Sequence, residues 1–456
     1  MKYSKLCIPR AEDLVFGRAP FPVTTPRGLV IGGGKVYPEL NFTLPPITIK
    51  PDTYGEIKKH YHEIITGALE RAGELHQDGV VFEFETLLEM TLDPELGTDL
   101  VKIMNEICED AFQKRGQKSE IRLTPNDTRD FERPVKMRTS KYLDAMFTLF
   151  EQGAKAGGNL LSIESTGGKE VCDEALMNCN IKEVIFALAV LGVRDMQFIW
   201  EKIVSIANAT GTIPGGDTAC GFGNTAMVLA EKKYIPKVFA AIVRIITIVR
   251  TLVAHEQGAL GPDKDCGYEG PFLKAITGIP ISMEGRTAAC AHLSPVGNVA
   301  GACCDLWSNE SVTNIKLLAG MAPTVYMEQL IYDTRLFNQA TAQGLVSEYQ
   351  NIMIASDIHL DPQALILAPK NVIAISQAIV AGKNYVDAAV LGALKGLEII
   401  EQAVADGSLF LEEREAMWID MLRDELTALP RDESGMVESV LPELDQSKVL
   451  LKEYGL

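Results

Sequence analysis

The sequence has no Cys-x-x-Cys pair and no regular spacing among its nine cysteines. An odd, scattered set argues against a disulfide framework and for reduced thiols, as in a cytoplasm. The start, MKYSKLCIPRAEDLVFG, carries no apolar run of the kind a secretory signal needs, which also points to a cytoplasmic protein. A clean membrane span is missing too. The most apolar stretch, residues 238–254, contains Arg244 and Arg250, and two guanidinium groups at a bilayer centre are costly. A buried helix of a soluble fold is expected there, with no membrane partner. There is no basic patch: 43 Lys and Arg stand against 61 Asp and Glu, a net charge of −18. Such a chain repels phosphate backbones, so no nucleic-acid partner is expected.

Phosphate cradles are absent as well. GLVIGGGKV at 28–36 looks like a phosphate loop, but Leu29 stands where the first glycine belongs and Val36 where Ser or Thr belongs. GFGNTA at 221–226 matches a dinucleotide fingerprint, but GTIPGGDTAC before it is not a continuous apolar strand. What remains is ordinary globular composition, 47% hydrophobic and 23% charged, with ample length for a large core.

Along the chain, strand-like and helix-like segments alternate. GVVFEFET from Gly79, IRLTPND, LLSIE, GTIPGGD, the stretch near Asp263 and GIPISME read as strands. Helical patterns separate several of them, near 94–114 and 141–153 among others. Such βα units imply a parallel sheet, and their number fits a (β/α)8 TIM barrel better than a six-stranded open sheet. TVYMEQL near 324–330 is ambiguous between strand and helix. Residues 1–65, rich in Pro, Gly and Thr, read as an N-terminal extension wrapping the barrel. Residues 66–350 read as the catalytic core, and 351–456 as added C-terminal helices with an acidic tail, a surface arm after Arg431.

Three residues stand where a barrel displays its chemistry. Glu164 ends the apolar run LLSIE, Cys220 closes TIPGGDTAC, and Cys266 sits in GPDKDCGYEGP. Each lies at an expected strand end or in the following loop, beside glycines that let the backbone turn. Two thiolates and a carboxylate supply three ligands to a tetrahedral zinc and leave a fourth position open. Free cysteines also pack as small apolar residues, so the pattern by itself leaves both readings open. Other candidates are weaker. His60 and His62 point to different faces of one helix. His255 closes an apolar helix, where a cation suits the dipole. His292, in CAHLSP, is an outside active-site candidate. Cys172 and Cys179 suit a helix face in the core, and Cys303 and Cys304, in VAGACCDLW, suit close helix packing.

In LLSIESTGGKE, IPGGDTACGFGNTAM and DCGYEGP the sequence resembles the zinc-containing subunit of methanol:corrinoid methyltransferase, a family of methanogenic and acetogenic anaerobes. The likeness runs through the whole chain. It implies a TIM barrel with added helices, one zinc per chain on Glu164, Cys220 and Cys266, and a catalytic role for Glu164. It further implies methanol as substrate and a corrinoid, carried by a partner protein docked at the barrel mouth, as methyl acceptor. A homodimer joined by two corrinoid subunits into a heterotetramer is the implied assembly. Asp217, Asp265 and Glu269, near the ligands in sequence, are candidates to support them. Two other functions remain open at this stage. One is a zinc methyltransferase for a methylamine, methoxyaromatic or thiol; the other is a non-enzymatic scaffold for corrinoid proteins.

Overall fold

The computed structural model describes residues 1–44, 47–264, 266–291, 293–312, 316–317 and 320–456. Asp265 and His292, both considered above, lie outside the described residues. An N-terminal hairpin pairs β1 (Arg18–Thr24) with β2 (Val30–Gly33). Seven further strands follow: β3 (Tyr37–Thr43), β4 (Gly79–Glu85), β5 (Lys118–Thr124), β6 (Leu160–Ile163), β7 (Ile213–Asp217), β8 (Ser282–Glu284) and β9 (Leu306–Val312). They form one parallel sheet in the order β7-β6-β5-β4-β3-β9-β8.

The gap between β7 and β8 is filled by residues 260–264. Leu260 N–H donates to Pro214 O (2.7 Å) and Gly261 N–H to Gly215 O (2.8 Å). On the other side Ser282 N–H donates to the Asp263 carboxylate (3.2 Å). No regular ladder forms here because Pro262 has no N–H to give and Gly261 takes a left-handed φ of 85°. The segment completes the eighth position, and with it the expected (β/α)8 barrel.

The barrel interior is largely polar, which is why its strands read weakly in sequence. At the closed end, Leu29 and Ile31 of the hairpin pack with Tyr37, Val81, Leu160 and Leu306 and plug the barrel. One layer up, fully buried Arg122 donates to Glu39 (2.6 Å), Ser162 (2.8 Å) and Pro262 O (2.8 Å). Above that, Glu83 accepts from Thr124 (2.8 Å) and faces Lys264 Nζ at 3.1 Å. Side chains two residues apart share a strand face, so Val81, Glu83 and Glu85 climb the interior, as do Leu160, Ser162 and Glu164. Buried ion pairs add little net stability but fix one arrangement of their partners.

The apolar stretch forms the helix Lys237–Gln257, buried along nearly its full length. Gly392 and Gly396 of the helix Tyr385–Ala405 face Ile245 on it, and a methyl group would press into Ile245 at Gly396 and into both Ile379 and Ile245 at Gly392. Close helix approach thus needs glycine at these two places. Arg244 and Arg250, awkward for a membrane, turn to the loops above the barrel. Arg250 reaches Ser165 Oγ (2.7 Å), and Arg244 reaches Gln363 (3.1 Å) and the Gly267 carbonyl.

Two expectations change, and two segments take definite form. The barrel starts at Tyr37, inside the stretch 1–65 assigned to a wrapping extension: β3 is hidden in sequence by Pro38 and by inward-facing Glu39 and Asn41. TVYMEQL belongs to the helix Ala322–Ala342. VAGACCDLW forms the short helical turn Val299–Ala302, whose Gly301 lies close against Phe337 and Met353 of two neighbouring helices, and then leads into β9, where inward Ser308 and Glu310 mask the strand character. Finally, the chain after Arg431 is no surface arm. Met436, Val440, Val449 and Tyr454 are buried, and the last residues strap back over the barrel. Arg138 N–H donates to Glu453 (2.8 Å), and Gly168 N–H donates to the Tyr454 hydroxyl (3.0 Å).

Candidate metal centre

Glu164, Cys220 and Cys266 follow three successive barrel positions, at the ends where the parallel strands leave the barrel. Glu164 comes directly after β6. Its loop is pinned on both sides: Ser165 donates through N–H and Oγ to Asp217 (3.1 and 2.7 Å), and Thr166 N–H donates to Asp127 (2.8 Å). Cys220 opens the helix Cys220–Glu231, where the helix dipole favours a thiolate. The preceding Ala219 N–H is held by Glu269 (2.7 Å). Cys266 lies between the eighth barrel segment and the helix Gly270–Thr277. Gly267 after it lies against Thr218 and Glu269, with no room for a side chain.

The ligand atoms of the three residues lie within 4.8 Å of one another. Cys266 Sγ donates to Glu164 Oε1 (3.0 Å). Asn224 Nδ2 donates to Cys220 Sγ (3.3 Å) and to the Cys266 carbonyl (2.7 Å). Lys264 Nζ stands 3.0 Å from Glu164 Oε1 and 3.5 Å from Glu85 Oε2. A cavity of about 220 Å³ opens beside Glu164, between Glu85, Phe131, Lys169 and Gly221.

Each of the three groups is pushed toward its protonated form by its surroundings. Burial, then the hydrogen bond and charge of Cys220, push the Cys266 thiol well above its ordinary value. The bond with Cys266 pulls the Cys220 thiol down, but burial and Glu164 outweigh it, and the thiol stands at about 12. Burial raises the Glu164 carboxyl, with Lys264 opposing. Three would-be anions thus hold protons against one another. A divalent cation between them would remove the conflict, and its binding would release those protons. The donor set, two sulfurs and one carboxylate oxygen, matches zinc in type and number, with a position to spare.

The remaining candidates fall elsewhere. Asp217 and Glu269 brace the ligand loops, as described. His255 is buried, with its Nδ1 3.2 Å from Ala259 O, and burial lowers it to about 4. It is neutral, so the dipole-stabilised cation read from sequence is not formed: desolvation outweighs the helix end. Cys172, Cys303 and Cys304 are buried in the core. His60 faces Glu56 (3.7 Å) on the outer surface of its helix. Two site residues were missed, Lys264 and Asn224. Each had a signal: Lys264 precedes Cys266 by two, and Asn224 follows Cys220 by four on a helix, one turn along the same face.

Comparison with known proteins agrees in fold and extent. The chain is 36% identical to a methanol–corrinoid protein co-methyltransferase of Methanosarcina barkeri, over all of this chain and 99% of that one. It superposes on a chain of the crystal structure of the methanol:cobalamin methyltransferase complex of the same organism. The TM-score is 0.95 at 34% identity, with 100% and 99% of the two chains covered. The model of the family described as methanol-cobalamin methyltransferase B subunit matches residues 1–455. With barrel, length and sequence in agreement, the chain belongs to the methanol-cobalamin methyltransferase B subunit family.

Proposed function

We propose that this chain transfers the methyl group of methanol to the cobalt of a corrinoid held by a separate protein, with zinc on Glu164, Cys220 and Cys266. The observation that carries the reading is the convergence of these three donors within 4.8 Å beside an open cavity at the barrel mouth. Hydroxide is a poor leaving group, and a zinc ion held there supplies the Lewis acid that takes up charge on the alcohol oxygen. The chain does the rest. Asp127, Asp217 and Glu269 hold the ligand loops in place, so little reorganisation is needed on binding. Lys264 offsets part of the charge of Glu164, Glu83 and Glu85. The cavity is far smaller than a corrinoid, so the corrinoid must come from above, and the partner's docking closes the mouth against water.

In the same reading the protein works in the cytoplasm, pairs with a second copy, and binds one corrinoid subunit per chain. The mass of the purified complex tests that stoichiometry. The ligand assignment is tested by metal content. Cys220→Ala and Cys266→Ala should each lose zinc and methyl transfer together, and Glu164→Gln should weaken both with the fold retained. Full zinc content in both cysteine variants would refute the assignment, and a normal transfer rate in Glu164→Gln would remove that residue from the site.

A further inference from the structure

We infer that Asn224 is the positioning residue that ties the two sulfur ligands together and tunes Cys220, an inference that rests on the ligand assignment above. One side-chain amide spans two separate loops. Its two hydrogens go to Cys220 Sγ (3.3 Å) and to the Cys266 carbonyl (2.7 Å). The orientation of the amide is fixed by chemistry. Its other end faces Arg244 Nη2 at 3.4 Å, and a guanidinium only donates, so the atom toward it is the oxygen and the NH2 faces the sulfur. Asn224 is 4% exposed, so water does not compete for the bond to the Cys266 carbonyl, while the bond to the half-buried Cys220 lies at the edge of the site.

Arg244 is itself anchored. It comes from the buried helix Lys237–Gln257, donates to the Gly267 carbonyl, and lies 5.2 Å from the ring centre of Tyr268. Arg244, Asn224 and the two cysteine loops therefore form one connected unit. It fixes the Cys220 sulfur relative to the backbone of Cys266. The bond to Cys220 has an electronic effect as well. A hydrogen bond accepted by a thiolate withdraws electron density from it, so less is passed to a bound metal, which stays the stronger Lewis acid.

Cobalt(II) in place of zinc makes this measurable, because sulfur-to-cobalt charge transfer reports the energy of the sulfur electrons. Two variants separate the roles. N224A removes the whole link. N224D keeps the size and the contact with Arg244 but has no hydrogen to give to sulfur. In both, the charge-transfer band should move to lower energy than in the unmodified protein. Cobalt affinity of N224A, read by competition with a chromophoric chelator, should fall ~10- to 100-fold, while N224D, whose carboxylate adds a negative charge beside the sulfur, is read by the band. Circular dichroism checks the fold, and if N224A does not fold, N224D carries the test. A folded variant with an unmoved band and unchanged affinity would overturn the role of Asn224 while leaving the ligands in place. Absence of any sulfur-to-cobalt band in the unmodified protein would overturn the ligand assignment, and this inference with it.

Discussion

Tyr454→Phe removes one oxygen atom from the third-last residue of the chain, and the effect should surface at the barrel mouth. The Tyr454 ring is fully buried. Its hydroxyl donates to Glu170 Oε1 (2.6 Å) and accepts from Gly168 N–H (3.0 Å). Gly168 is four residues beyond Glu164, in the loop that starts the helix Lys169–Met177. Phenylalanine keeps the packing but leaves a buried N–H without its acceptor and a carboxylate without its donor. A buried unsatisfied group costs ~1–3 kcal/mol, and a bond to a charged group contributes ~1.5–3 kcal/mol. Glu170 is half-buried, so water recovers part of the second contribution. The net loss should be ~2–4 kcal/mol. Local opening governs amide exchange, so exchange in a peptide covering residues 165–170 should speed up by ~30-fold or more, at about 1.4 kcal/mol per factor of ten. Mass-spectrometric hydrogen exchange measures this, and a peptide from β4 serves as the internal control. Unchanged exchange in 165–170, with the fold intact, would refute the strap as a support of the site loop.

Three further outcomes are expected. His255 has a folded value near 4 against 6.5 unfolded, so the unfolded chain binds the extra proton. Stability from this group is complete above pH 6.5 and is lost as the pH falls toward 4, by up to about 3 kcal/mol. Urea unfolding should show a shallower loss between pH 7 and 5 in His255→Gln than in the unmodified protein, and equal slopes would refute the reasoning. A side chain at Gly221 points into open space, with only Lys169 near it at 3.9 Å, beside the cavity at Glu164. Gly221→Trp should therefore retain zinc but slow transfer to the corrinoid protein by ~10²-fold; full activity would place that loop outside the docking mouth. Cys303→Ala and Cys304→Ala remove buried sulfurs that pack in the core. They should cost ~1–2 kcal/mol and leave metal content unchanged, and lost zinc at normal thermal stability would contradict this.

How much of this was legible in the sequence depends on how local the cause is. LLSIE shows a buried strand ending in a carboxylate, and GPDKDCGYEGP shows a loop with a thiol, because apolar runs and glycines act within a few residues. The three residues were legible from that as candidates at strand ends, while their grouping into one donor set was what the resemblance implied. The whole-chain resemblance supplied the substrate and the corrinoid partner, which no pattern of residues states. Strands whose inward side chains are polar, β3 and β9 above all, lack the alternation that marks a half-buried strand. Only the closed barrel shows that Glu39 meets Arg122 and that the inside is a stack of ion pairs. The eighth position was visible only as a stretch near Asp263, since Pro262 and Gly261 break the ladder that defines a strand.

Tertiary structure decided what depends on residues far apart in the chain. Burial made His255 neutral and joined Arg244 to Asn224. It docked the acidic tail against the loop that follows Glu164, where composition indicated a solvated arm. Charge and hydropathy are sums over a segment, but a tail is docked by a few residues, here Glu453 and Tyr454, that find partners some 285–315 positions away. The residue types and their order determined the chemistry available to this protein. The distances that bring two thiols and a carboxylate within 4.8 Å come from barrel closure, which gathers three successive strand ends whatever length of chain lies between them, and from the loop contacts of Asp217, Glu269 and Asn224 that turn the donors toward one another.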